Sequence, residues 1–276
     1  MKRLFCCLFL SFILLSSCSS SEDTSLDPRF LTWFRPVAEE SSMLDGGIRT
    51  PNIRVEYDDA ILYLRQIIGN PYALYLAVDV IGSDVSINDV TFSGRYMDNG
   101  EPWLAFTGDG TVAVHQRPDL LDGYIIRLFS ERPLDTNQEL VMHLRAIRDP
   151  LDPSLENTIW GPYEISFVPD VNTAVRKASL IDGEGVDVGN LSVSALHIHI
   201  AFGDMSSLIN PHFPNQTPIR VVMDDGTYRP LQWFGLGQPK EESSAMWWSL
   251  WSEHRRLWEP YRIVAVEIGE IRMMLD

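Results

Sequence analysis

From Asn52 onward the chain runs as short apolar-rich stretches, many of them alternating with polar residues and closed by turn residues. "IRVEY" (53–57) alternates strictly, while "AILYLRQI" (60–67) and "YALYLAVDVIG" (72–82) are apolar-rich and dense in β-formers. "INDVTFSGRYM" ends at Asp98-Asn99-Gly100, a turn signal, and "PWLAF" and "TVAVH" flank Gly108-Asp109-Gly110, which predicts a hairpin. "GYIIRLFS", "ELVMHLRAI" and "GPYEISFVP" follow, the last closing a first strand-rich unit near Pro169. A second unit opens with "VRKASLI", turns through the glycines of "IDGEGVDVG", and continues into "LSVSALHIHIAF". Read as one half-buried strand, that stretch puts Leu196, Ile198, Ile200 and Phe202 on one face and His197 and His199 on the other. "PIRVVM" and "TYRPLQWF" flank Asp224-Asp225-Gly226, another hairpin, and "RIVAVEIGEIRMML" predicts two short strands around Gly269. "SSAMWWSLWSEHRRLW" (243–258) has helical spacing and predicts a helix. The expected fold is all-β: two immunoglobulin-like β-sandwich domains in tandem, 50–169 and 170–276, with one short helix in the second.

The front of the chain has a different texture. Lys2 and Arg3 precede an apolar run from Leu4 to Leu15, shorter than the roughly 20 residues a membrane span needs. Leu15-Ser16-Ser17-Cys18 then fits the lipobox of bacterial lipoproteins: an aliphatic residue, two small residues that admit a peptidase, and a thiol that becomes a thioether to diacylglycerol. Residues 1–17 are therefore expected to be a lipoprotein signal peptide, Cys18 the lipidation site, and 18–49 a lipid-anchored tether interrupted at Pro36 and Gly46-Gly47. This accounts for the cysteines, since Cys6 and Cys7 leave with the signal and Cys18 is modified. Several acyl chains on one residue anchor stably where a single chain does not. The expected destination is the outer face of the bacterial cytoplasmic membrane.

Charge narrows the partners. The chain holds 22 Lys and Arg against 38 Asp and Glu, a net charge of −16, and loss of Lys2 and Arg3 with the signal makes it more negative. Such acidity excludes nucleic acid as a partner and disfavours adsorption to anionic lipid.

The segments "IVAVEIGEIRM", "PIRVVMDDGT", "LSVSALHIHI" after "IDGEGVDVG", and Trp160 to Phe167 together form a pattern. It resembles the paired β-sandwich ectodomains, of unknown function, found in Gram-positive membrane proteins whose cytoplasmic part is anti-sigma-factor-like. The resemblance spans roughly residues 50–276 and departs at the front, where a lipobox replaces the cytoplasmic domain and transmembrane helix. It implies an ectodomain module on a lipid, and it implies no catalytic residue.

Candidate chemistry is sparse. Trp247, Trp248, Trp251 and Trp258 lie within twelve residues, and on a helix Trp247, Trp251 and Trp258 share a face, with Trp248 beside them. Such a surface, with Trp233 and Phe234 just upstream, could stack on sugars or grip a protein; the alternative is that the helix buries its tryptophans against the second sandwich. His197 and His199 share a strand face and could ligate a metal with His212 or Asp224 as a third ligand; the alternative is an ordinary polar face. Asp182, Glu184 and Asp187 could collect calcium, or could be turn residues. Asp58-Asp59 or Asp224-Asp225 could be paired carboxylates. No nucleophile elbow, zinc-protease motif or phosphate loop is present in the sequence, and no cofactor is expected. The sequence thus predicts a non-catalytic binding or scaffolding module whose partners are envelope proteins or cell-wall glycan, with a wall hydrolase and a metal-dependent sensor as alternatives.

Overall fold

A computed structural model describes residues 25–34, 42–57, 60–81, 86–98, 101–104, 110–117, 120–130, 133–147, 158–202, 218–231, 233–237, 248–253, 257 and 259–275. A helix, α1 (Pro28–Phe34), precedes the strands. The first group comprises β1 (Ile48–Arg49), β2 (Ile53–Glu56), β3 (Ile61–Asn70), β4 (Ala73–Ile81), β5 (Ser86–Asp98), β6 (Glu101–Leu104), β7 (Gly110–Arg117), β8 (Leu120–Ser130), β9 (Leu140–Ile147) and β10 (Thr158–Phe167). The second comprises β11 (Val175–Ile181), β12 (Asp187–Ser194), β13 (His197–Phe202), β14 (Ile219–Met223), β15 (Tyr228–Pro230), β16 (Trp233–Gly237), β17 (Trp248–Glu253), β18 (Ile263–Ile268) and β19 (Ile271–Leu275). The fold is all-β in its main body, as the alternating pattern predicts.

In the first group, β1-β3-β4-β8-β7 form one sheet, with β2 also on β3, and β10-β9-β5-β6 form another. They pack face to face: Leu62, Leu74, Leu76 and Ile126 of one sheet share a core with Phe92, Met142, Ile165 and Phe167 of the other. Tyr57 ties the sheets at an edge, its ring edge-on to Tyr163 at 4.9 Å and its hydroxyl accepting from the Glu164 N–H at 2.7 Å. The hairpin expected between "PWLAF" and "TVAVH" does not form. β6 pairs with β5 across the Asp98-Asn99-Gly100 turn, while β7 pairs with β8 in the opposite sheet. A turn motif sets local direction, but burial decides which sheet each strand joins.

The second group is a nine-stranded array, β15-β14-β18-β19-β11-β12-β13-β17-β16. Its two parts meet at β11 and β19 through Leu180↔Leu275 and Ile181↔Met274. Leu191, Val193, Ile198 and Ile200 of one part share a core with Ile219, Val221, Ile263 and Val266 of the other, so the array folds over on itself at that joint. The Asp224-Asp225-Gly226 hairpin forms as predicted, with Gly226 at φ +78, a conformation glycine adopts without a Cβ penalty.

Three further sequence expectations are corrected. "LSVSALHIHIAF" is two antiparallel strands with a turn at Ala195-Leu196, because the Ser194 hydroxyl accepts from the Leu196 and His197 N–H groups at 3.2 Å each and closes a tight reversal. Within the predicted helix 243–258, residues 248–253 form β17, held between β13 and β16. Helical spacing loses here to two-sided strand pairing. Third, the stretch expected as a tether is docked at residues 25–34 and 42–49. Asp27 caps α1 through its side chain to the Arg29 N–H at 2.9 Å, and Phe30 and Phe34 are wholly buried. They cover the outer face of the first sheet at Tyr75, Ala77 and Phe129, and Phe34 meets Tyr75 edge-on at 5.0 Å. The same cluster takes in Ala195, Leu196 and Leu257 from the second group, so one apolar layer joins the N-terminal segment and both strand groups.

Candidate functional site: a cleft where the two strand groups meet

The second group begins at a fixed point on the first. Asn70, at the end of β3, is fully buried, and its side-chain oxygen accepts from the Tyr72 and Ala73 N–H groups at 2.9 and 3.2 Å. Its amide nitrogen donates to the Thr173 hydroxyl at 3.2 Å, and that hydroxyl donates to the Gly69 carbonyl at 3.0 Å. This polar network is satisfied inside the protein, which makes its geometry specific. It holds Tyr72 in place and pins the chain two residues before β11. Gly69 belongs to the same knot, since a Cβ there would stand 2.2 Å from the Ala73 carbonyl oxygen.

Just beyond, β11, β12 and β13 present their outer face to a cleft of about 560 Å³ lined by Tyr72, Lys177, Ser179, Asn190, Ser192 and His199 among others. The opposite faces of these strands, Leu191, Val193, Ile198 and Ile200, fill the core, so the polar residues fall outward by alternation. Register sets them in rows: Lys177 pairs with Ser192 and Ser192 with His199, and in the next row Ser179 pairs with Asn190 and Asn190 with Ala201. The Lys177 ammonium lies over the Tyr72 ring, 5.0 Å from its centre, a cation–π contact that orients the charge.

The two histidines differ in setting. His197 is completely buried, 6.2 Å ring to ring from Phe129, with Nδ1 2.9 Å from the Ser194 hydroxyl. That hydroxyl already accepts two backbone N–H bonds, so its own proton points to Nδ1, and the ring carries its hydrogen on Nε2. Burial pushes His197 down to about 3, with the neighbouring His199 adding to the shift, and burial pushes His199 down to about 4. Both imidazoles are neutral at physiological pH. His199 is 8% exposed and serves the cleft as a hydrogen-bonding group without charge.

The other predicted residues fall elsewhere. Among the described residues no three His, Cys, Asp or Glu gather as a metal would require. Asp224 is bound to Arg262 at 2.9 Å on the β14–β15 turn. Asp225 accepts from the Thr227 hydroxyl and N–H and from Arg262, which together hold its carboxyl down at about 2. The Asp182 side chain accepts from the Glu184 and Val186 N–H groups at 2.9 Å each, and Asp187 accepts from Gly189 at 3.1 Å, so both carboxylates serve turns. Trp248 and Trp251 lie on β17, opposite Phe202 and His199, and Trp233 and Phe234 lie on β16. Trp248 and Trp251 are three positions apart on this strand, so these two do not share a face as neighbours on a helix would. Cys18, Trp247, Trp258, His212, Asp58 and Asp59 lie outside the described residues.

Sequence reasoning missed Tyr72, Lys177, Ser179, Asn190 and Ser192. The signal available was the polar side of "VRKASLI" and "GNLSVS", alternating against an apolar side. Tyr72 carried no signal, because it enters from the other strand group. Among the described residues no helix is long and apolar enough to cross a membrane.

No family model matches this chain, and no curated protein matches it. Among solved structures, it is similar to a conserved domain protein from Bacillus anthracis at 10% identity, over 79% of this chain and 75% of that one, with a TM-score of 0.47.

Proposed function

We propose that this protein is a lipid-anchored, non-catalytic binding module of the bacterial envelope, exported and held at the outer face of the cytoplasmic membrane through Cys18. In this reading its two strand groups are tandem immunoglobulin-like sandwiches, as the resemblance to paired envelope ectodomains implies. The observation that supports binding is the cleft itself. Its lining comes from β11, β12 and β13 of the second strand group with Tyr72 from the first, and a buried hydrogen-bond network beside Tyr72 fixes the two groups together. Six residues, 19–24, separate Cys18 from Ser25, where the described fold begins, and the seven steps between them reach about 25 Å fully extended. The module then sits close to the bilayer rather than on a long stalk.

Fractionation of a bacterial host tests the anchor. Full-length protein is expected in the membrane fraction and a Cys18→Ala variant outside it; a variant still on the membrane overturns lipid anchoring. Purified full-length protein incubated with wall fragments is expected to release no new reducing ends, and such release overturns the non-catalytic reading.

A further inference from the structure

The lining of the cleft narrows its ligand. Adjacent strands stand about 4.8 Å apart and alternate residues along a strand about 6.8 Å apart, so two cross-strand rows make a grid of polar groups on the scale of one or two sugar rings. Ser192 and Asn190 each offer both a donor and an acceptor, and Ser179 and neutral His199 add further polar atoms, the complement of a ring of hydroxyls that also donate and accept. A flat apolar ligand would strip water from these groups without replacing it. Lys177 adds a single positive charge, and no carboxylate is among the described residues lining the cleft. In a chain with 38 acidic and 22 basic residues, that local balance favours a ligand bearing a negative charge. Tyr72 holds the ammonium over its ring, so the cation is partly oriented before a ligand arrives.

We propose that this cleft binds an acidic saccharide, a glycan unit whose carboxylate meets Lys177 and whose hydroxyls meet Ser179, Asn190, Ser192 and His199. The proposal rests on the binding-module reading and names that module's ligand class.

Full-length protein in detergent micelles is titrated calorimetrically with glucuronate, galacturonate, N-acetylmuramate and N-acetylneuraminate. Glucose, galactose and N-acetylglucosamine serve as neutral controls, and acetate as a charge-only control. At least one acidic sugar is expected to bind about tenfold or more tightly than every neutral sugar and acetate. Lys177→Gln is expected to erase that preference and keep the weak neutral-sugar affinity, while Asn190→Ala weakens acidic and neutral sugars together. Both side chains are exposed, so neither variant threatens folding. The proposal is overturned if no acidic sugar binds at millimolar concentration, if acetate binds as well as the sugars, or if the preference survives Lys177→Gln. Binding of an acidic peptide in place of every sugar also overturns it. Chromatography of the sugars and wall fragments afterwards separates the two claims. Cleavage overturns the non-catalytic reading and leaves the ligand class standing, whereas absence of binding without cleavage overturns the ligand class alone.

Discussion

His197 and His199 link burial to pH. Unfolded histidines titrate near 6.5, whereas burial holds these two at about 3 and about 4 in the fold. Above pH 7 neither state binds the extra protons, and the histidines leave stability unchanged. As pH falls from about 6.5 toward 4, the unfolded chain takes up protons that the folded chain refuses, so stability drops by up to about 1.4 kcal/mol per pH unit for each histidine. Asp27 acts in a separate, lower window. Burial opposes its ionisation, but the Arg29 guanidinium and N–H outweigh that and lower it, so its contribution fades only in more acidic solution. Urea midpoints of the full-length protein at pH 7.5, 6.0 and 5.0 should decline, and His199→Gln should make the decline shallower. A midpoint flat across this range contradicts the burial of both rings. Neither burial was readable from "HIHI": alternation put the histidines on the polar side, and the approach of Phe129, far away in the chain, helps turn the His197 end of that side into an interior.

At the scale of elements, α1 departs most from the sequence reading. Its seven residues are too few for a helix that is stable alone, and its place comes from docking. Arg29 donates to the Val78 carbonyl at 2.9 Å and to Asp79 at 2.8 Å, while Asp27 binds its other side. Phe30 and Phe34 fill the layer above Tyr75. Phe34→Ala should cost about 3–5 kcal/mol in urea unfolding with little change in far-ultraviolet circular dichroism. A loss under about 1 kcal/mol would mean that the helix only rests on the sheet. A hint of this docking lay in β4, where "ALYLAV" is apolar at every position, the mark of a strand covered on both faces. One face meets the partner sheet; the sequence does not say that the other meets the segment read as a tether. The β17 correction has the same origin. "WWSLWSE" fits a helical wheel, but flanking strands on both sides offer a full backbone ladder.

For the whole molecule, the junction matters most. Leu196 lies in the β12–β13 turn, fully buried, in the apolar layer shared by both strand groups and α1. Leu196→Asp puts a carboxylate there with no partner of opposite charge in that apolar cluster. Thermolysin is expected to leave the 168–174 connection intact in the native protein and to cut it in the variant, with loss of the cleft that Tyr72 and Lys177 share. Equal resistance of the two proteins would show that the junction does not depend on this cluster.

The sequence by itself determined most of the strands and several glycine-marked turns, Asp224-Asp225-Gly226 among them, because alternation and turn chemistry are local and act whichever sheet a strand joins. The Leu15–Cys18 pattern behind the proposed lipid anchor is likewise linear and legible without a fold. Only the tertiary structure decided that β6 and β7 part into different sheets, that residues 25–34 and 42–49 dock instead of hanging free, and that Tyr72 meets Lys177 at the cleft. Each of these depends on which surfaces bury one another, a property of pairs far apart in the chain. No window of neighbouring residues contains it.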